Sequence, residues 1–231
     1  MKKINDYLPI ENPGERHVAV ILALDTSSSM EGKPIEELNQ GLQAFADALK
    51  EDELASGRAD VMILTFDSKV QEYQGFTPAT SFTPPQLNAY GYTRMNEALI
   101  YALDADLNQK AIYKSSGTSY YRTWLFVLTD GLATDTSKES EARARVQDAI
   151  RNKKISYFPM GIGPQADMNK LKSYYPDEWK SKIYLKANKN NFKEAFVWLS
   201  NSIVEVVNSN PEVTPNIQLP APDQSITIGL D

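Results

Sequence analysis

Two apolar patterns alternate along this chain. The first is a short unbroken run. Val18 to Leu24 is seven apolar residues in a row, and Ala59–Phe66, Thr123–Leu128 and Ile155–Met160 are nearly as continuous. Runs of this length, rich in β-branched and aromatic residues, predict strands buried on both faces, as in a parallel sheet. The second pattern repeats at helical spacing. Ile35, Leu38, Leu42, Phe45 and Leu49 predict an amphipathic helix over 34–50, with Glu36, Glu37, Gln40, Gln43 and Asp47 on its polar face. Met95, Ala98, Leu99, Ala102 and Leu103 form a second stripe, and Phe192, Ala195, Phe196, Leu199, Ile203 and Val206 a last one over 191–208.

Weaker signals fill the gaps. Asp67-Ser68 turns the chain into a short antiparallel strand over 69–73. Residues 74–93 carry three prolines and two glycines and predict a long loop, which in a compact domain is usually functional. Thr136 and Glu139 fit a capping box opening a helix that runs to Asn152. A short helix over 166–175 and an edge strand over 182–186 follow. Strands alternating with helices predict an α/β fold: three α/β/α layers around a mostly parallel six-stranded sheet, with one antiparallel edge strand. Val18–Leu24 and Trp124–Leu128 should be adjacent at its centre. The expected organisation is a lead-in at 1–15, one domain at 16–208 and a tail at 209–231, where four of the thirteen prolines cluster. That tail is expected either to hang free or to dock as an extended arm.

Composition narrows the function. The net charge of −6 and pI near 5.0 argue against a general affinity for nucleic acid or anionic membrane. The chain lacks cysteine, which removes disulfides, thiolate catalysis and Cys-based zinc sites. Its amino terminus has no apolar signal-peptide core, and no stretch approaches the roughly 20 apolar residues of a membrane span. A soluble, cytoplasmic, monomeric protein is the expectation. The single histidine, His17, lies about 25 Å from Asp25 along an extended strand, and is expected to be a solvated strand-start residue with no catalytic role.

The candidate chemistry sits where the apolar runs stop. The first run ends on D-T-S-S-S at 25–29, the third on L-T-D-G at 128–131, and the long loop carries G-Y-T at 91–93. Ligands in open α/β sheets bind beyond the carboxyl ends of the strands. Asp25, Ser27 and Ser29 offer a carboxylate and two hydroxyls, hard oxygen donors that suit Mg²⁺, Mn²⁺ or Ca²⁺. The structural alternative is a plain helix-capping cluster before Pro34.

Taken together, order and spacing of these motifs resemble the von Willebrand factor A domain family. The resemblance covers roughly residues 16–208 and implies a Rossmann-like fold. The family's metal-ion-dependent adhesion site, D-x-S-x-S then T then D, falls on Asp25, Ser27 and Ser29, then Thr93, then Asp130; Ser28 stands where glycine is commonest, at a position that supplies no ligand. Within the family, P-I-E-E-L-N-Q-G-L at 34–42, L-T-F-D-S-K-V at 64–70, F-T-P-P-Q-L at 82–87 and Y-Y-R-T-W-L-F-V-L-T-D-G at 120–131 look most like bacterial cytoplasmic members from tellurium-resistance and stress gene clusters. The resemblance implies a non-enzymatic interaction module. Its divalent cation, Mg²⁺ foremost, would bridge to an Asp or Glu of a protein partner. Met30, Tyr90, Tyr92, Arg94, Leu132 and Thr134 are expected to ring that contact.

Two rivals have weaker support. An aspartyl-nucleophile phosphatase would also end its first strand on Asp25. It usually needs a second acid at position 27, where this chain has serine, and a lysine, none of which is evident near the motifs. A nucleotide-binding domain would need a glycine-rich phosphate loop after the first strand, and neither common form is present; G-I-G-P at 161–164 reads as a turn.

Overall fold

The computed structural model describes residues 10–179, 183–189 and 192–209, with the backbone of 226–230. Most of the expected lead-in (1–9) and most of the tail (210–225 and 231) lie outside the described residues. Among the described residues there are seven strands: β1 Val18–Asp25, β2 Ala59–Phe66, β3 Val70–Pro78, β4 Thr123–Thr129, β5 Ile155–Ile162, β6 Ile183–Ala187 and β7 Ile226–Leu230. The helices are α1 Lys33–Glu51, α2 Glu53–Arg58, α3 Met95–Ser115, α4 Glu139–Arg151, α5 Met168–Lys172 and α6 Lys193–Asn208.

The strands make one sheet in the order β3-β2-β1-β4-β5-β6-β7. Its first six strands are mostly parallel, with β3 antiparallel at one edge. β1 and β4 are adjacent and parallel at the centre, Val20 opposite Trp124 and Leu24 opposite Leu128. Every residue of both is buried, as their unbroken apolar sequence requires. Alternate β1 residues feed two cores. Val18, Val20, Leu22 and Leu24 join Leu38, Leu42 and Phe45 of α1 and Phe196, Leu199 and Ile203 of α6. Ala19, Ile21 and Ala23 face the opposite layer, where α3 brings Ala98, Leu99 and Ala102 and α4 brings Val146 and Ile150.

Several elements depart from the sequence expectation. β3 runs on to Pro78 through irregular pairing near Val61 and Ile63, so the long loop begins only after it. β6 is not an edge: β7, from the end of the chain, pairs antiparallel along it, Ile183 opposite Leu230 and Ala187 opposite Ile226. The capping box at Thr136 is not formed. Residues 136–138 make a 3₁₀ turn, and Lys138 precedes α4 without a side-chain cap. The neighbouring Asp135 carboxylate is instead committed to another helix, accepting from the backbone N–H groups of Asn96 (3.3 Å) and Glu97 (2.7 Å) at the start of α3. Glu139 pairs with Arg143 at 2.6 Å.

His17 is buried rather than solvated. Its Nδ1 lies 2.8 Å from Asp60 Oδ2, and the Tyr113 hydroxyl donates to the same oxygen at 2.6 Å. Nearby at this amino-terminal end of the strands, Lys110 donates to Asp106 (2.7 Å) and to the Lys154 carbonyl (2.7 Å). Buried charges at this pole are thus paired on both sides, as a buried ion requires. Among the described residues no helix is long and apolar enough to cross a membrane.

Two outcomes follow from this packing. Gly41 on α1 faces Phe196 so closely that an added Cβ would lie 2.4 Å from the ring. Gly41→Ala gains under about 1 kcal/mol of helix propensity but overpacks the core, at a cost of about 1–3 kcal/mol; a lowered urea midpoint checks it. At the other pole, burial lowers the affinity of His17 for its proton, but the Asp60 hydrogen bond and charge outweigh it, and the net pKa is raised above 6.5. A raised histidine pKa contributes stability that is present below pH 6.5 and lost as pH climbs through the folded-state value. The stability difference between wild type and His17→Asn, from urea melts, should therefore shrink as pH rises above 6.5.

Candidate metal centre

The five candidate ligands lie at the carboxyl ends of β1 and β4 and on the loops beside them. Asp25 is the last residue of β1, and Asp130 follows the last residue of the adjacent β4. Both are fully buried. Ser27 is buried and Ser29 exposed, in the turn that opens with the 3₁₀ segment Ser28–Met30. A chain of hydroxyls joins the two strand ends: Ser27 Oγ and Ser29 Oγ are 3.0 Å apart, and Ser29 Oγ donates to Asp130 Oδ1 at 2.6 Å. Asp25 accepts from the Ser27 backbone N–H at 2.8 Å and from the Thr129 hydroxyl at 2.5 Å.

Thr93 arrives on a separate loop, which backbone hydrogen bonds stitch to its neighbours on each side. Tyr90 N–H donates to Thr26 O (2.8 Å) and Ser28 N–H to Gly91 O (3.1 Å), tying it to the serine turn. Thr134 N–H donates to Thr93 O (2.8 Å), and Thr93 N–H to the Thr134 hydroxyl (3.2 Å), tying it to the loop after β4. Gly91 has φ +78°, and a Cβ there would lie 2.3 Å from the Ser68 hydroxyl, so this turn requires glycine. Behind it, buried Asp67 accepts from the Thr26 hydroxyl (3.3 Å) and Lys69 N–H (3.1 Å), and its carbonyl from Arg94 N–H (3.2 Å).

The residues fit a hard divalent cation. The set is two carboxylates and hydroxyls, with no nitrogen or sulfur donor. Among the described residues no group of three or more His, Asp or Glu is placed to hold a metal, so a cation here depends on hydroxyl donors. Among the described residues none donates a hydrogen bond to the buried Asp130 Oδ2. The Lys189 ammonium lies against it as an ion pair. Buried charge at this edge is thus matched by an ammonium at Asp130 and by hydrogen bonds at Asp25.

The expected rim divides. Tyr90, Tyr92 and Leu132 are exposed, Tyr92 by 70%. Arg94 is half exposed and reaches Glu97 at 2.9 Å. Thr134 is exposed at the rim, but its hydroxyl is spent clamping the Thr93 loop. Met30 is not at the rim at all. It is fully buried beneath the serine turn in the core shared with α1, because the 3₁₀ turn points its apolar side chain inward. Thr129, Asp67, Asp135 and Lys189 also serve the site and were not singled out in the sequence. Thr129 lay inside L-T-D-G, where only the aspartate drew attention. Lys189 overturns the expectation that no lysine lies near the motifs; 160 residues from Ser29, it carried no sequence signal.

Comparison with known proteins decides the ancestry. The family model for the von Willebrand factor type A domain matches residues 19–196. The chain belongs to the von Willebrand factor type A domain family. No curated protein matches it. Solved structures share its fold at low identity. The vWF domain of the type V pili tip protein Mfa5 from Porphyromonas gingivalis is 14% identical with a TM-score of 0.64, covering 85% of this chain and 98% of its own. Manganese-loaded TRAP protein from Plasmodium vivax is 19% identical at a TM-score of 0.54, over 83% of this chain and 73% of its own. Proximal thread matrix protein 1 from the mussel byssus, described with a zinc-occupied MIDAS motif, is 14% identical at 0.52, over 84% of this chain and 45% of its own.

Burial raises the Asp25 pKa to about 6; hydrogen bonds from Ser27 and Thr129 oppose the rise and the Asp130 charge adds to it. A carboxyl raised from 3.8 to about 6 corresponds to roughly 3 kcal/mol of unfavourable ionisation in the folded state. The sign follows: this cost is absent at pH 3.8 and below, grows as pH rises to about 6 and is complete above it. Asp25→Asn should therefore stabilise the metal-free protein at pH 7 by up to that amount, and the gain should vanish near pH 4. Urea melts in chelator at the two pH values check it.

Proposed function

We propose that this VWA domain is a non-enzymatic, metal-dependent protein-interaction module. In this reading Asp25, Ser27, Ser29, Thr93 and Asp130 hold a divalent cation, Mg²⁺ before Mn²⁺ or Ca²⁺, and an Asp or Glu of a protein partner completes its coordination. The observation that carries the reading is the pair of buried carboxylates, Asp25 and Asp130, linked by the Ser27–Ser29 hydroxyl chain at an edge flanked by exposed Tyr90, Tyr92 and Leu132. A cation held mostly by neutral hydroxyls keeps positive charge to offer an incoming carboxylate. The manganese of the TRAP structure and the zinc of the byssal protein's MIDAS motif support the same chemistry by analogy. We assign the domain to 16–208 and place it, on its sequence resemblance, in the bacterial cytoplasm in a stress-response or tellurium-resistance-like system, as a monomer that binds neither nucleic acid nor membrane.

The phosphatase alternative gains a lysine in Lys189 but still lacks the second acid, because Ser27 stands in its place. Turnover of a generic phosphoester with Mg²⁺ would favour it over the interaction reading.

Mg²⁺ or Mn²⁺ should raise the melting temperature, since an ion that binds only the folded state at about 100 times its Kd adds about 2.7 kcal/mol; Asp130→Ala should abolish the rise. A pull-down of partners should succeed in Mg²⁺ and fail in chelator. Tyr92→Ala should weaken partner binding about tenfold, the loss of roughly 1–2 kcal/mol typical of an aromatic anchor, while calorimetry finds metal affinity unchanged. Partner capture that persists in chelator would place the interface elsewhere.

A further inference from the structure

The Lys189 ammonium occupies a built position. It forms an ion pair with Asp130 Oδ2 and donates to the Ser29 carbonyl at 3.1 Å, so it touches two of the three loops that carry candidate ligands. Asp130 has no exposed surface, and the Lys189 side chain is 26% exposed. The lysine comes from the turn after β6, two strands away from β4. To reach Asp130 its stem crosses the end of the intervening strand, β5, at Gly163. A Cβ on Gly163 would lie 2.6 Å from the Lys189 Cγ and 3.2 Å from its Cδ and Cε. Gly163 has φ +76° and donates its N–H to Ala187 O at 2.8 Å, which fixes the gap beside the turn that carries the lysine. The absence of a side chain at Gly163 is thus what lets the stem lie down over the sheet edge.

We propose that Lys189 is a tethered counter-ion that competes with the divalent cation for Asp130 and thereby sets the cation affinity of the site. The inference rests on the metal-site reading above. A buried carboxylate demands a positive partner, and two are on offer: the ion, and an ammonium that the fold delivers to the same oxygen. Close approach of a divalent ion to Asp130 puts two positive centres at one carboxylate, and their repulsion is weakly screened in so buried a place. Loading the site therefore expels the ammonium, and the long flexible lysine stem can swing to solvent. The competition lowers affinity, so the site fills only at high free cation, and filling it frees the turn after β6 from the Ser29 and Asp130 loops.

The test is a Mn²⁺ titration of the full chain by calorimetry and by electron paramagnetic resonance of the free ion. Lys189→Met should bind Mn²⁺ at least tenfold more tightly than wild type, and Lys189→Gln should do the same if the methionine variant folds poorly. Lys189→Arg keeps the charge and should stay within about threefold of wild type. Lys186→Met, on the exposed face of β6, removes the same charge away from Asp130 and should leave affinity unchanged. A second readout needs no metal: in chelator, Lys189→Met should melt at a lower temperature than Lys186→Met, because Asp130 has lost its counter-ion. Equal or weaker Mn²⁺ binding by Lys189→Met would overturn the competition while leaving the metal site standing. Absence of Mn²⁺ binding in every chain would overturn the metal site, and the competition with it.

Discussion

Two carboxylates forced out of water at the ends of two adjacent central strands are the constraint on which this molecule's functional edge depends. Asp25 and Asp130 are buried because β1 and β4 are buried, and each is placed by an apolar run that ends on it. Ionised groups in such a place are costly unless compensated. The surroundings read as compensation: Thr129 and the Ser27 N–H on Asp25, Ser29 on Asp130, and Lys189 against the remaining Asp130 oxygen. Burial nonetheless wins at Asp25, whose pKa is pushed up to about 6. A site whose own hydrogen bonds do not fully satisfy its charge is one that a cation can stabilise.

Holding the charge in place requires rigid loops, and the loops are stitched to one another more than to the sheet. The Thr93 loop is bonded to the serine turn, to Asp67 and to the loop after β4. Asp135, four positions before Glu139, caps α3 and so couples the β4 loop to the helix that follows Thr93. The three loops that carry candidate ligands are therefore joined to one another by direct hydrogen bonds. At the opposite pole the buried His17–Asp60–Tyr113 and Asp106–Lys110 groups are paired internally. Charge there serves the fold, whereas charge at the strands' carboxyl ends is left partly open.

Much of this was legible in the sequence because it is local. The unbroken apolar runs marked β1, β2, β4 and β5, and helical stripes marked α1 and α6 to within a few residues and the first half of α3. Asp25, Ser27, Ser29 and Asp130 stood out because oxygen-rich residues follow apolar runs, whereas Thr93 was assigned through the family resemblance. What was not legible is what depends on distant parts of the chain. His17 looked exposed until Asp60 and Tyr113, 43 and 96 positions away, supplied its burial and its partner. Met30 looked like rim until a 3₁₀ turn rotated it into the core. The Thr136 capping box obeyed its local rule, yet residues 136–138 form a 3₁₀ turn and the cap seen here is Asp135 on a different helix, α3. β7 has only a weak alternation, and its place is set by the open edge of β6. Lys189 is the extreme case, a residue with no local signature whose role comes from the room left by Gly163.

The most direct test of the account is a crystal structure grown with Mn²⁺ and read by anomalous scattering. The account predicts one strong peak among the Ser27, Ser29 and Thr93 hydroxyls and the Asp25 and Asp130 carboxylates, with Lys189 turned away from Asp130. A map with no peak at that edge, or with its only peak elsewhere on the molecule, would contradict it.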